Sequence, residues 1–271
     1  MLSIQTNYNS LVAQNNLGKS NSAMGTAMER LSTGFRINSA KDDAAGLQIA
    51  NRMEANSRGM SVAMRNGQDA IGMMQIAEGG MDEITNIALR MKDLATQSAN
   101  GTNSAADKDA LDAEFQELTA EVTRIMGTTE FNGNNVFTAF TGGVTFQIGG
   151  STNANDKLTV TADTTDITTA LAGLAIGDGD DTDAAIDGVV AAIDAVNAHR
   201  STLGANINRV EHTINNLSSV VENTEAAKGR IMDTDFAVET ANMTKNQLLV
   251  QAGTNILAQS NQMGGLVMGL L

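Results

Sequence analysis

The chain has 271 residues with no proline, cysteine or tryptophan, one tyrosine and seven phenylalanines. At a usual frequency of about 5%, roughly 14 prolines are expected, so their absence points to long unbroken helices, and so few aromatics exclude one thick globular core. The missing cysteines exclude disulfides and thiolate chemistry, and a net charge of -14 lacks the basic footprint of a nucleic-acid partner.

The apolar positions carry distinct periods along the chain. The first ten residues, MLSIQTNYNS, have neither a basic start nor an apolar run, so no cleaved secretory signal is expected there. Leu17, Met24, Met28, Leu31 and Phe35 then follow helical spacing in an N-terminal arm. Met53, Met60, Met74 and Met81 are separated by multiples of seven, with Met64 and Ile71 as a companion column. Ile84, Ile87, Met91 and Leu94 continue that stripe to about residue 99, where SANGTNSAAD predicts a helix stop and a new N-cap. Leu111, Phe115, Leu118, Val122 and Ile125 predict a further helix ending at Gly127, with Glu114, Glu117 and Glu121 off the seam.

Residues 131–182 change character. EFNGNNVF predicts a turn, and VTFQI and KLTV alternate as the strands of a small β-hairpin. Eight aspartates and one lysine fall within residues 156–187, which predicts an exposed acidic segment. From Ile186 to Val221 an alternating three-four ladder, interrupted by Arg200, predicts a helix over 184–228. At 1.5 Å per residue it is about 68 Å long, a rod. In a C-terminal arm, Phe236, Met243, Val250 and Leu257 form one heptad column, and Leu249, Ile256, Met263 and Leu270 form another.

The predicted fold is mainly α: long antiparallel, coiled-coil-like rods with a small β-hairpin element at the middle of the chain. The arms, residues 1–43 and 230–271, together hold six basic and six acidic side chains, so the whole net charge lies between them. Neutral arms suit close packing in many copies, whereas an acidic middle stays in water. Residues 44–140 and 183–229 form the central rod domain, and 141–182 the short exposed β and acidic segment. No apolar run of about 18 residues predicts membrane insertion.

Candidates for chemistry are weak. His199 and His212 are too far apart on one helix for a single metal ion. GDGDDTD at 177–183 lacks the glycine and glutamate spacing of a calcium loop. No nucleotide-binding, nucleophile or zinc-protease string occurs, so neither an enzyme nor a cofactor is expected. Composition and period leave a helical interaction protein, with a signalling bundle, a secretion needle and a translocator subunit all compatible.

The motifs are more specific. ERLSTGFRINSAKDDAAGLQIANR at 29–52 resembles the N-terminal signature of bacterial flagellins. MRNGQDAIGMMQIAEGGMDEI at 64–84, DLATQSANGT at 93–102, FNG at 131–133 and NMTKNQLLVQAGTNILAQSNQ at 242–262 match in the same order. A hook-filament junction protein of the same superfamily is the nearest alternative, and TAMERLSTGFRINSA looks most like lateral, swarming-type members.

The resemblance implies a homopolymer: a subunit of the extracellular filament used for motility, exported unfolded through the flagellar type III apparatus. It implies as partners an export chaperone, a cap protein and a hook-filament junction protein. The paired arms are expected to build an inner tube through Leu31, Phe35 and Ile37 in one arm and Leu249, Ile256, Met263 and Leu270 in the other. Positions matching a host innate-immune receptor site are Arg90, Leu94 and Glu114, with Leu89 where receptor-active relatives often carry a polar residue. The large outer domains usual in the family are expected to be replaced by residues 141–182, giving a thin filament.

Overall fold

The computed structural model describes residues 7–268, with side chains to residue 262. The chain forms two compact units, one from Met1–Ala55 with Asn223–Leu271 and the other Asn56–Glu222. The fold is mainly α, with long helices and two small antiparallel β pairs.

In the first unit, α1 (Tyr8–Thr33) pairs with α7 (Phe236–Met268). The Asn7 side chain caps α1 by accepting from the Ser10 amide at 3.1 Å. Gly34, at φ 77, ends the helix in a left-handed conformation that a side chain would oppose. Phe35 therefore lies outside the helix that its spacing predicted, in an antiparallel bridge with Asp233. The first turns of α2 (Ala44–Ser98) and the end of α6 (Thr182–Met232) also belong here. Lys228 binds Glu54 of α2 and, at 2.6 Å, Glu225. Hydrogen bonds from Lys228 to both carboxylates raise its pKa.

The second unit holds the core. α2 runs antiparallel to α6: Gly67 approaches Ile214 and Val210, while Arg200 pairs with Glu78 and with Asp82 at 3.1 Å. Those carboxylates explain how an arginine interrupts an apolar ladder. Met74, Met81, Ile84, Met91 and Leu94 of α2 meet Val189, Val196, Leu203 and Val210 of α6 and Phe115 and Val122 of α3 (Ala105–Thr128) in one buried cluster. Ser104 and Asp107 form a capping box at the start of α3. The Ser104 side-chain hydrogen bond, then the Ser104 backbone, holds the Asp107 pKa below its usual value.

β1 (Glu130–Phe131) and β2 (Asn134–Asn135) turn through Asn132 and Gly133, both at positive φ, before α4 (Val136–Gly142). β3 (Val144–Gln147) pairs with β4 (Lys157–Val160), with Val144 opposite Val160 and Phe146 opposite Leu158. This is the hairpin expected from the alternation. Its turn lies against α2, where the Gly150 carbonyl oxygen is 3.3 Å from the position a Cβ on Gly59 would take.

The segment 141–182 differs from the expected exposed tract. Leu158, Val160, Ile167, Leu171 and Ile176 are buried in the core cluster, and the short helix α5 (Thr165–Leu171) supplies two of them. Asp112 accepts from the Ile176 amide at 2.8 Å, and Ser98 donates to the Ile176 carbonyl at 2.5 Å. His199 of α6 meets Asp166 of α5 at 3.0 Å. The aspartates face outward while the Ile and Leu residues between them face in, so acidity and burial share one segment.

Candidate assembly surface

The α1–α7 pair is the part of the molecule whose packing is least complete. Along α1, Ser10, Ala13, Leu17, Ser20, Met24, Ala27 and Leu31 are the less exposed positions, and along α7 they are Glu239, Met243, Asn246, Val250, Gly253, Leu257 and Ser260. Both sets step by three and four residues, the narrow seam of a coiled coil. Leu17 sits against Gly253, with its Cδ1 3.2 Å from the position of an added Cβ. The seam is thin in apolar area. Its fully buried residues are Ser10, Ala27, Glu239 and Ser260, and no large apolar side chain of either helix is fully buried among the described residues.

Polar groups close both ends. The Asn7 amide donates to the Ser260 carbonyl at 2.9 Å and the Ser10 hydroxyl to Asn261 at 3.1 Å. At the other end Arg30 faces buried Glu239 at 3.7 Å, while its Nε is buried without a partner. Beside it, the Arg36 guanidinium donates to the Ile231 carbonyl at 2.8 Å, and the Thr234 amide to the Gly34 carbonyl. Asp235 caps α7 by accepting from the Ala237 and Val238 amides.

The described residues of the second heptad column face solvent. Leu249 and Ile256 are 47% and 58% exposed, and Leu248, Phe236 and Val238 stand open beside them. On α1, Tyr8, Leu11, Val12 and Met28 are similarly exposed. Large exposed apolar side chains thus recur along both helices. Tyr8, Leu11 and Val12 have i, i+3 and i+4 spacing that the sequence offered as a signal, whereas Val238 and Leu248 fall outside both columns and carry no such spacing. Phe236, placed by its spacing with Met243 and Val250, is instead largely exposed at the helix start.

The expected contact residues separate into groups. Leu249, Ile256 and Phe35 are exposed, and Leu31 is half-buried in the seam. Ile37 differs from them: it is 2% exposed, with its Cδ1 2.7 Å from where a Cβ on Gly46 would stand, so within the protomer it packs inside its own unit. Met263 lies within α7, but its side chain, like all of Leu270, falls outside the described residues.

The receptor-like trio is likewise divided. Arg90 of α2 donates through Nε and Nη2 to Glu114 of α3 at 3.0 and 2.7 Å, and both are exposed. Leu94 is 1% exposed, inside the core of the second unit. Among the described residues no three His, Asp or Glu side chains are arranged to hold a metal ion, and no helix is long and apolar enough to cross a membrane.

Two family models match the chain: the bacterial flagellin N-terminal helical region over residues 4–141 and the bacterial flagellin C-terminal helical region over residues 186–271. A flagellin of Halalkalibacterium halodurans is 43% identical over 269 residues, covering 99% of both chains. Flagellin A of Vibrio anguillarum is 36% identical, covering 100% of this chain and 99% of that one. The latter alignment runs over 376 positions against the 271 residues of this chain, so that relative is the longer protein. Polar flagellin B/D of Vibrio parahaemolyticus is 34% identical, and none of these names supports the lateral subtype. The crystal structure of Bacillus cereus flagellin superposes with a TM-score of 0.50 at 37% identity, covering 60% of this chain and 94% of that one. The chain belongs to the bacterial flagellin family and is a structural subunit of the flagellar filament.

Proposed function

We propose that filament assembly works through the α1–α7 pair, with the exposed column of Leu249 and Ile256 and the open face of α1 packing against neighbouring copies. What carries this reading is that two helices of 26 and 33 residues bury no large apolar side chain within the described protomer. Helices paired so thinly are marginal alone, and copies of the same chain supply the missing burial. In the filament, residues 1–43 and 230–271 then form the inner tube, and 44–140 with 183–229 form the surrounding shell. Residues 141–182 complete the shell core and take the place of a large outer domain.

The subunit leaves the cell unfolded through the flagellar export apparatus, held beforehand by an export chaperone, and adds beneath a cap protein beyond the hook-filament junction. Its place is extracellular and its role is structural, without catalysis. Arg90 and Glu114, exposed and paired, are the residues of the shell that an innate-immune receptor would meet.

Elongation of short filament seeds by the purified protein, followed by electron microscopy, tests the reading. Growth from seed ends is expected in the unaltered chain, and loss of growth is expected when Leu249 and Ile256 are both changed to Asp. Normal growth of that double variant would refute the assignment of the surface.

A further inference from the structure

We propose that the register of the α1–α7 pair is set by polar residues at its two ends, Arg30 with Glu239 and Ser10 with Asn261, and not by the apolar seam between them. The seam itself is degenerate. From the Leu17 to Gly253 contact, continuing the antiparallel register places Ala13 opposite Leu257 and Ser20 opposite Val250. Each layer sets a bulky residue across from a small one. Sliding α7 by one heptad places Leu257 opposite Ser20, Gly253 opposite Met24 and Val250 opposite Ala27, which again sets bulky against small. Packing volume therefore separates the two registers poorly.

The ends do separate them. Glu239 is 7% exposed and faces Arg30. In the slid register Glu239 would lie past Thr33, where α1 has ended, and Arg30 would lie near Asn246. The slide thus exchanges an ion pair at a nearly buried carboxylate for two separated charges, and single polar residues in a seam are known to fix register in coiled coils. The Ser10 hydroxyl would likewise lose Asn261. The backbone bridge between Phe35 and Asp233, with the Thr234 amide on the Gly34 carbonyl and Arg36 on the Met232 and Ile231 carbonyls, also resists sliding.

The consequence for assembly rests on the surface proposed above. A slip of one heptad moves Leu249 and Ile256 by about 10 Å along α1, which misaligns them for the neighbouring copy. Arg30, Glu239, Ser10 and Asn261 are thus positioning residues.

The chain has no native cysteine, so disulfide trapping in the full-length protein reads the register directly. The Leu17 Cβ is 3.9 Å from the position of a Gly253 Cβ, within the range for a disulfide. Leu17→Cys with Gly253→Cys reports the described register, and Met24→Cys with Gly253→Cys the slid one. With native ends, the first pair is expected to oxidise at least about tenfold more completely than the second. Adding Arg30→Met, Glu239→Leu, Ser10→Ala and Asn261→Ala should bring the two within about threefold, with helix content by circular dichroism unchanged. The exchange Arg30→Glu with Glu239→Arg should restore the preference, which a loss of general stability would not. If the preference survives removal of all four polar groups, or if the exchange fails to restore it, the seam, the bridge or Asn7 with Ser260 sets the register and the proposal is wrong. Seed elongation is scored separately: a variant that loses its register preference yet elongates seeds supports the register claim and refutes the surface assignment.

Discussion

Truncating Ile256 separates folding of the subunit from its assembly. Its side chain lies off the α1–α7 seam and keeps 58% of its accessible surface, on the order of 100 Å² to be covered by a neighbour. At roughly 25 cal/mol per Å², covering it stabilises each added subunit by about 2.5 kcal/mol. Ile256→Ala removes most of that, about 2 kcal/mol at roughly 0.8 per methylene, and should raise the critical concentration for seed elongation about thirtyfold. Ile256→Asp places a carboxylate where burial is expected, with a penalty of several kcal/mol, and should stop elongation at any practical concentration. Circular dichroism and thermal unfolding of the unpolymerised chain should be unchanged in both variants. A critical concentration within about twofold of the unaltered chain for Ile256→Ala would show that Ile256 is not covered in the filament.

Three further outcomes follow from the described contacts. Leu94→Ala should destabilise the second unit by about 2–5 kcal/mol in denaturant titration, because Leu94 is buried in the core; a near-neutral effect would contradict its placement. The Asp107 pKa is depressed below its usual 3.8 by Ser104. Its contribution is therefore present above that value and lost as pH falls through the folded one. Ser104→Ala should lower stability more at pH 7 than below the folded Asp107 pKa, where only the cap on the Asp107 amide is left to lose, and urea unfolding at the two conditions checks this. Lys228 has a raised pKa from Glu225 and Glu54, so its contribution is complete below its usual value and is lost as pH rises through the folded one. Lys228→Met should remove that alkaline loss, and an unchanged alkaline profile would count against the ion pairs.

Much of the fold was legible because the ladders are long. Val189, Val196, Leu203 and Val210 step by sevens, and all are buried. Val144, Phe146, Leu158 and Val160 alternate as strands, and they pair in that register. The helix α5 was not legible, since seven Thr-rich residues give no period and their acidity suggested a solvated loop. Ile37 lies in an irregular connection where no spacing marks a buried face. Leu94 shows the reverse: its place in the stripe with Ile84, Ile87 and Met91 already predicted burial, and the receptor assignment came from resemblance instead. In the C-terminal arm the sequence yielded two apolar columns, but only α1 decides which is inward. The small residues opposite Met243, Val250 and Leu257 choose that column for the seam and leave Leu249 and Ile256 outside.

A density map of the assembled filament at side-chain resolution tests the central claim most directly. The account predicts Leu249 and Ile256 packed against neighbouring copies and inaccessible to solvent. Finding both side chains open to water or to the central channel, with contacts between copies made by the second unit alone, would contradict it.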